Sequence, residues 1–208
     1  MSPRAPWTLV GVSLALSCSV GEGIGEVRGP LRVHLCGIND PHFSLDPTFF
    51  GGDFYAGSFT IRLQHGGDNA EFTDELTFQV DDTEYVSRNL GRRLLVGAAG
   101  QAPVHAVLGL TRSCGRRGTT QRGQNVALEA YSGYIIFQSI YRGSSIATPE
   151  ARNTEVSEFS IALRDPRPVR DFVDSATPEP QDRIGSSGEL EGRFQFYFAR
   201  GRPAQRFP

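Results

Sequence analysis

The stretch Phe59-Thr60-Ile61-Arg62-Leu63-Gln64 decides the fold class, because apolar and polar side chains alternate along it with a period of two. Successive side chains of a β-strand point to opposite faces of its sheet, so this stretch places its apolar side chains together on one face. It therefore predicts a strand with one buried and one polar face.

The same alternation recurs along the chain from Val27 onward. Apolar residues that alternate in this way are Leu31, Val33 and Leu35; Leu76, Phe78 and Val80; Val104, Ala106, Leu108 and Leu110; Val126 and Leu128; Phe159, Ile161 and Leu163; and Phe194, Phe196 and Phe198. Turn signals such as 65–69 and Ser132-Gly133 separate the runs. Residues 134–137 are apolar on both faces, which indicates a central strand. We therefore predict an all-β fold, an antiparallel β-sandwich or barrel.

Only residues 83–96 carry a helical pattern. Val86, Leu90 and Leu94 form a helical stripe, which Gly91 interrupts, and a pair of strands is an alternative interpretation. The sequence thus predicts at most one short helix.

Composition excludes several classes of function. The chain has 208 residues, enough for one domain, and a formal net charge of −2, which gives no indication of a nucleic-acid partner. All 21 basic residues are arginine. Chemistry that requires lysine, such as a P-loop, a Schiff base or a Ser–Lys dyad, is therefore excluded.

Residues 1–17 are predicted to be a signal peptide. Arg4 precedes an apolar run from Trp7 to Leu16, which has the length of a signal-peptide core and is too short to cross a bilayer as a helix. The Gly-rich residues 18–26 are predicted to be a short tether. Residues 27–208 then form a single β domain, with a Pro-rich mobile loop at about 165–187.

The segment Leu14-Ala15-Leu16-Ser17-Cys18 resembles the lipobox of bacterial lipoprotein precursors. The resemblance implies that Cys18 is diacylated on sulfur, becomes the first residue after cleavage and is then N-acylated. Ala15 and Leu16 depart from the family pattern, which has Leu at the earlier position and a small residue next. An ordinary signal peptide cleaved near Ser17 or Val20, and a cytosolic chain, are the alternatives.

The residue after Cys18 is Ser19 rather than Asp. By the sorting pattern of the lipoprotein family, this resembles an outer-membrane address, on the periplasmic or the cell-surface side. The strand after Ser132-Gly133, the Asp165-Pro166-Arg167 turn and the tail 200–208 are similar to uncharacterised lipoproteins of GC-rich proteobacteria. That similarity implies no known activity.

The chain has three cysteines, an odd number for an exported protein. If Cys18 carries lipid, Cys36 and Cys114 remain as a pair in an oxidising compartment, which predicts a disulfide. Each follows an alternating run, so the two could be neighbours at one rim of the sheet if a bulge realigns their faces. Two separate buried thiols are the alternative.

The stretch 40–55 concentrates aromatic residues with Asp, Gly and Pro. As an exposed loop it could stack on sugars or apolar ligands, and as a structural loop it would fold its rings over the open end of the sheet. The candidate ligand-binding residues in it are Phe43, Phe49, Phe50, Phe54 and Tyr55.

The remaining polar groups carry no recognisable catalytic motif. No two of His34, His42, His65 and His105 have zinc-ligand spacing, and neither a Gly-x-Ser-x-Gly elbow nor a His-Glu-x-x-His motif is present. We therefore predict no catalytic residue, metal or cofactor.

The predicted function is a lipid-anchored, exported envelope or surface protein with a structural or interaction role. Its partner is the membrane, with a protein or glycan partner unassigned; a small-ligand or carbohydrate-binding module, or an unrecognised enzyme, are the alternatives.

Overall fold

The computed structural model describes residues 22–65, 73–115, 126–142, 153–165 and 186–197. The predicted signal peptide, Cys18, all but the ends of the loop at 165–187, Phe198 and the tail 200–208 lie outside these ranges. Within them no helix is long and apolar enough to cross a membrane.

The fold is all-β, as predicted. The strands are β1 (Glu22–Val33), β2 (Ile38–Leu45), β3 (Phe49–Tyr55), β4 (Ser58–Gln64), β5 (Asp74–Val80), β6 (Leu94–Leu95), β7 (Val104–Leu110), β8 (Val126–Ser139), β9 (Asn153–Arg164) and β10 (Ser187–Tyr197). The described helices are α1 (Thr83–Arg88) and α2 (Arg112–Gly115), and His34–Cys36 forms a 3₁₀ turn.

One curled antiparallel sheet forms a half-barrel, rather than two sheets packed as a sandwich. Its strand order is β2-β1-β10-β9-β8-β7-β5-β4-β3, with β6 pairing on β8. Neighbours in the sheet are mostly neighbours in sequence, and the N-terminal β1 lies beside the C-terminal β10. This is the connectivity of an up-and-down meander.

The two edges of the sheet come together where the chain passes from β2 to β3. β2 is hydrogen-bonded to β1, β3 is hydrogen-bonded to β4, and only residues 46–48 separate them. Four Cα–Cα steps of about 3.8 Å span at most about 15 Å. The short link therefore keeps the two edges within about 15 Å of each other at this end, which is consistent with the curl of the sheet.

The inner face of the curl is filled by alternating apolar side chains that the sequence predicted to be buried. Leu35 is an exception: it is 40% exposed, because the chain leaves β1 after Val33 and enters the 3₁₀ turn. Phe78 contacts Phe159 and Phe194, with ring centroids 5.1 Å and 5.7 Å apart. Phe50 stacks on Phe196 with ring centroids 5.9 Å apart. These rings are at most 2% exposed, so they form the centre of the core.

Three predictions of local structure are corrected by the fold. Residues 22–26, predicted to lie in a tether, belong to β1 and pair with β10. Ser132-Gly133 is not a turn but a bulge within β8, where Gly133 has φ of +148°. Two short α-helices are present where at most one was predicted.

The helical pattern at 83–96 is realised only in part. Asp82 begins α1 by accepting the backbone N–H groups of Glu84 and Tyr85, and the helix ends at Arg88. Gly91, with φ of +73°, turns the chain, and Leu94–Leu95 then pairs with β8 as β6. The helix and the strand alternatives each describe part of this segment.

Candidate functional site

The aromatic stretch 40–55 does not form one exposed surface. Phe43, Phe49 and Phe50 are 7%, 6% and 1% exposed. They lie in the edge strands β2 and β3, and their rings pack against the rest of the sheet. Stacking on a ligand would require Phe43 and Phe50 to leave the core and Phe49 to leave its buried position. Of the five candidate residues, only Phe54, which is half-buried, and Tyr55, which is 80% exposed, keep accessible ring surface.

Phe54 and Tyr55 lie at the end of the half-barrel formed by the β3–β4 turn. The Tyr141 ring, just after β8, meets Phe54 and Phe59 edge to face, with centroids 6.2 Å and 6.0 Å away. The Tyr141 backbone N–H donates to the hydroxyl of Thr154 at 3.1 Å. The rings at this end therefore join β3 and β4 to the start of β9.

Cys36 and Cys114 form a disulfide, with Cα atoms 4.8 Å apart, as predicted. Two helical turns, rather than the bulge that was predicted, carry the cysteines: Cys36 lies in the 3₁₀ turn after β1, and Cys114 lies in α2 after β7. These helical turns rotate both side chains away from the strand register, which resolves the mismatch of faces. The bond links the β1–β2 connection to the end of β7, two places that β10, β9 and β8 separate in the sheet.

Asp74 positions the turn that carries Cys114. Its carboxylate accepts the backbone N–H groups of Arg112 and Ser113 at 3.1 Å and 3.0 Å, and also the Ser113 hydroxyl. Such acceptance satisfies donors at the start of a helix. Asp74 is 7% exposed and so is a structural group. No local pattern could have revealed a cap that acts over 38 residues.

The sequence also failed to identify a His–carboxylate pair at the α1 end of β5. The Nε2 atom of His105 lies 2.7 Å from Oδ2 of Asp81, and Nδ1 lies 3.0 Å from the carbonyl oxygen of Gly97. Burial lowers the pKa of His105, but the hydrogen bonds to Asp81 and Gly97 outweigh it and raise the pKa above its usual 6.5.

His105 bridges Asp81 and Gly97 through its two ring nitrogens, and we call this arrangement the His105 clamp. A carboxylate and a carbonyl can only accept, so a doubly protonated imidazole donates to both, whereas a neutral one donates to only one. Both ring nitrogens of His105 are thereby engaged with the protein. The clamp joins the end of β5 to the segment between β6 and β7. It therefore holds together the two ends of the stretch that contains α1 and β6.

The other histidines and acidic residues are dispersed. His65 Nδ1 lies 2.8 Å from the carbonyl oxygen of Asp46, and His34 and His42 are exposed. Within the described ranges, no group of three His, Cys, Asp or Glu side chains could hold a metal ion. Asp68, Glu71 and the arginines at 116, 117 and 122 lie outside the described residues.

A shallow groove of about 510 Å³ runs over the outer face of β1, β10 and β9. Two of its charged side chains, Glu26 and Arg193, lie 3.0 Å apart, and Glu26 also contacts Arg28. Beside it, the Tyr134 hydroxyl donates to Glu158, which raises the pKa of Tyr134 above its usual value. This face is therefore polar, with an ion-paired cluster centred on Glu26.

Comparison with known proteins assigns no class to this half-barrel. No protein-family model, no curated protein and no solved structure matches the chain.

Proposed function

We propose that this chain is an exported protein of the bacterial envelope, anchored to the outer membrane by lipid on Cys18, with a structural or interaction role. The lipid anchor attaches the chain to the membrane, and the domain lies on the periplasmic or the cell-surface side of the outer membrane.

The observation that carries the proposal is the pairing of Cys36 with Cys114. Disulfides persist in oxidising compartments outside the cytosol. The pair also accounts for two of the three cysteines, which leaves Cys18 alone at the position that resembles a lipidation site. An odd cysteine in an exported chain is otherwise a reactive thiol.

The filled interior favours an interaction role over a ligand carrier. Ligand-binding barrels hold their ligand in the lumen, whereas here Phe78, Phe159 and Phe196 occupy the inner face and are fully buried. The outer groove is shallow, and its Glu26 and Arg193 side chains are paired with each other. These features support a protein that acts through its exterior.

The anchor is tested by metabolic labelling with palmitate in a bacterial host. The wild-type chain is expected to incorporate palmitate and to fractionate with membranes, whereas Cys18→Ala is expected to lose both properties, because two or more acyl chains are needed for stable anchoring. Ser19→Asp serves as a matched control: it keeps the label and, if the sorting resemblance holds, moves the protein to the inner membrane. Unchanged labelling of Cys18→Ala would refute the proposal.

A further inference from the structure

We propose that the end of the half-barrel where β1 begins rests on the membrane surface, with Tyr55 and Tyr85 in the lipid headgroup region. We call this the anchor-side end; it comprises Glu22, Tyr55, Tyr85, Tyr141 and Tyr197. The inference rests on the proposed lipidation of Cys18.

Strand pairing places the first residue of β1 and the last residue of β3 at the same end. Glu22 pairs with Tyr197, which pairs with Asn153 at the start of β9. Next to Asn153, Thr154 accepts the backbone N–H of Tyr141, whose ring contacts Phe54. The neighbour of Phe54 is Tyr55.

Helix α1 belongs to the same end. The Thr83 backbone N–H donates to the carbonyl oxygen of Gly57, in the turn that follows Tyr55. Arg142, one residue beyond Tyr141, lies 3.7 Å from Glu84 of this helix. Tyr85 therefore lies beside the β3–β4 turn.

The distance from Cys18 to the sheet decides which end faces the lipid. β1 begins at Glu22, four residues after Cys18. Even fully extended at about 3.3–3.6 Å per residue, this segment spans at most about 14 Å. A lipidated Cys18 therefore holds the start of β1 within about 14 Å of the headgroups.

If the barrel axis stands perpendicular to the membrane, the opposite end of the sheet lies farther from the start of β1 than the 18–22 segment can span. β1 has 12 residues, and at about 3.3 Å per residue its length is about 36 Å. A tilt of about 35–45°, usual for barrel strands, leaves about 26–29 Å along the barrel axis. The Cys36–Cys114 end is therefore about twice as far from the start of β1 as the tether can reach.

The side chains exposed at the anchor-side end suit a lipid interface. Tyr55, Tyr85 and Tyr197 are 80%, 45% and 49% exposed. Tyrosine concentrates at headgroup depth, because its ring is apolar and its hydroxyl stays hydrated. Glu84 lies 3.5 Å from Arg88 and 3.7 Å from Arg142, so this carboxylate next to Tyr85 is ion-paired.

The chain offers a spectroscopic test with little background. Its single tryptophan is Trp7, inside the predicted signal peptide, so cleavage before Cys18 leaves a mature protein without tryptophan. Tyr55→Trp and Tyr85→Trp place a reporter at the anchor-side end. Leu35→Trp is the matched control beside the disulfide, at a residue that is 40% exposed.

Each lipidated variant is purified and reconstituted into phosphatidylethanolamine/phosphatidylglycerol vesicles that contain a phospholipid brominated on its acyl chains. Interfacial side chains lie near the headgroup–acyl boundary, so we expect Tyr55→Trp and Tyr85→Trp to lose about half of their emission or more. Leu35→Trp is expected to lose almost none. Flotation and palmitate content are measured on the same samples.

The outcomes separate this inference from the proposed function. In the first case the vesicles float with palmitate-labelled protein, and Leu35→Trp is quenched as strongly as the other two variants, or no variant is quenched. This result would overturn the orientation and leave the anchor standing. Protein that carries no palmitate and does not float would overturn the anchor and the orientation with it. Persistent tryptophan emission from the unsubstituted mature protein would contradict removal of residues 1–17.

Discussion

The ring of Phe50 on β3 lies over Gly23 on β1, with its Cδ2 atom 2.8 Å from the position that a β-carbon on Gly23 would occupy. Gly25 faces the same ring, with Cε1 3.3 Å from the corresponding position. β1 is hydrogen-bonded to β2 and β10, and β3 to β4. The edge strand β3 therefore meets β1, the strand next to the other edge, through the Phe50 ring, which packs against two positions of β1 that carry no side chain.

Gly23→Ala is expected to destabilise the fold by about 1–3 kcal/mol, the usual cost of overpacking. The new methyl group would lie 2.6 Å from Cβ of Phe196 and 2.7 Å from the carbonyl oxygen of Gln195. Chemical denaturation of the mature domain measures the change. The control is Ile24→Ala, at a neighbouring residue that is 74% exposed and should change stability by less than about 0.5 kcal/mol. Equal stability of the two variants would contradict the packing described here.

Phe196→Ala is expected to cost about 3–5 kcal/mol, because it removes a fully buried ring that stacks on Phe50. For a domain of this size, the midpoint of thermal unfolding should fall by roughly 6–20 °C. Tyr197→Ala, one residue along and 49% exposed, is the control and should melt near the parent. If Phe196→Ala melts like the parent, β10 does not contribute to the core.

Reduction of the Cys36–Cys114 bond is expected to lower the free energy of unfolding by about 2–4 kcal/mol without unfolding the domain. The bond closes a loop of 78 residues, and the core of the curled sheet does not depend on it. Denaturation curves with and without reductant measure the effect, and the Cys36→Ser/Cys114→Ser double variant should reproduce the reduced protein. Two free thiols in the denatured, unreduced mature protein would show that the bond does not form.

The His105 clamp predicts a stability that falls as pH rises. The pKa of His105 is raised in the folded protein, so its contribution is complete below about 6.5, the value of an unfolded histidine. It is lost as pH rises through the higher folded pKa. His105→Gln should therefore cost about 1–2 kcal/mol near pH 5.5 and less near pH 8.5.

The control for this comparison is His42→Gln, because the His42 side chain is exposed and only its backbone N–H bonds to Asp40. Urea denaturation at both pH values should give nearly equal changes for this variant. The same loss of stability for His105→Gln at both pH values would exclude titration of His105 as the cause.

Local alternation was sufficient to predict much of the sheet. Ile61, Phe78 and Leu163 were assigned to a buried face, and each is at most 2% exposed. This succeeds because side-chain direction along a strand is set by backbone geometry within two residues. The Cys36–Cys114 pair was also predictable, since it followed from counting cysteines rather than from geometry.

The same local rules failed where a residue's role depends on a distant strand. Gly23 and Gly25 gave the segment 18–26 the composition of a tether, yet they are strand positions that accommodate Phe50. Phe43, Phe49 and Phe50 had the composition of a binding loop, yet they lie in edge strands with buried rings.

The sequence by itself determined the all-β class and the buried face of most predicted strands, because backbone periodicity acts locally, and it predicted the disulfide partners on the condition that Cys18 carries lipid. Only the tertiary structure decided that one sheet curls into a half-barrel, that Asp74 caps α2 and that His105 bridges Asp81 and Gly97. Each of these depends on contacts between residues far apart in sequence. Such contacts form only after the strands have taken their order, and no local pattern encodes that order.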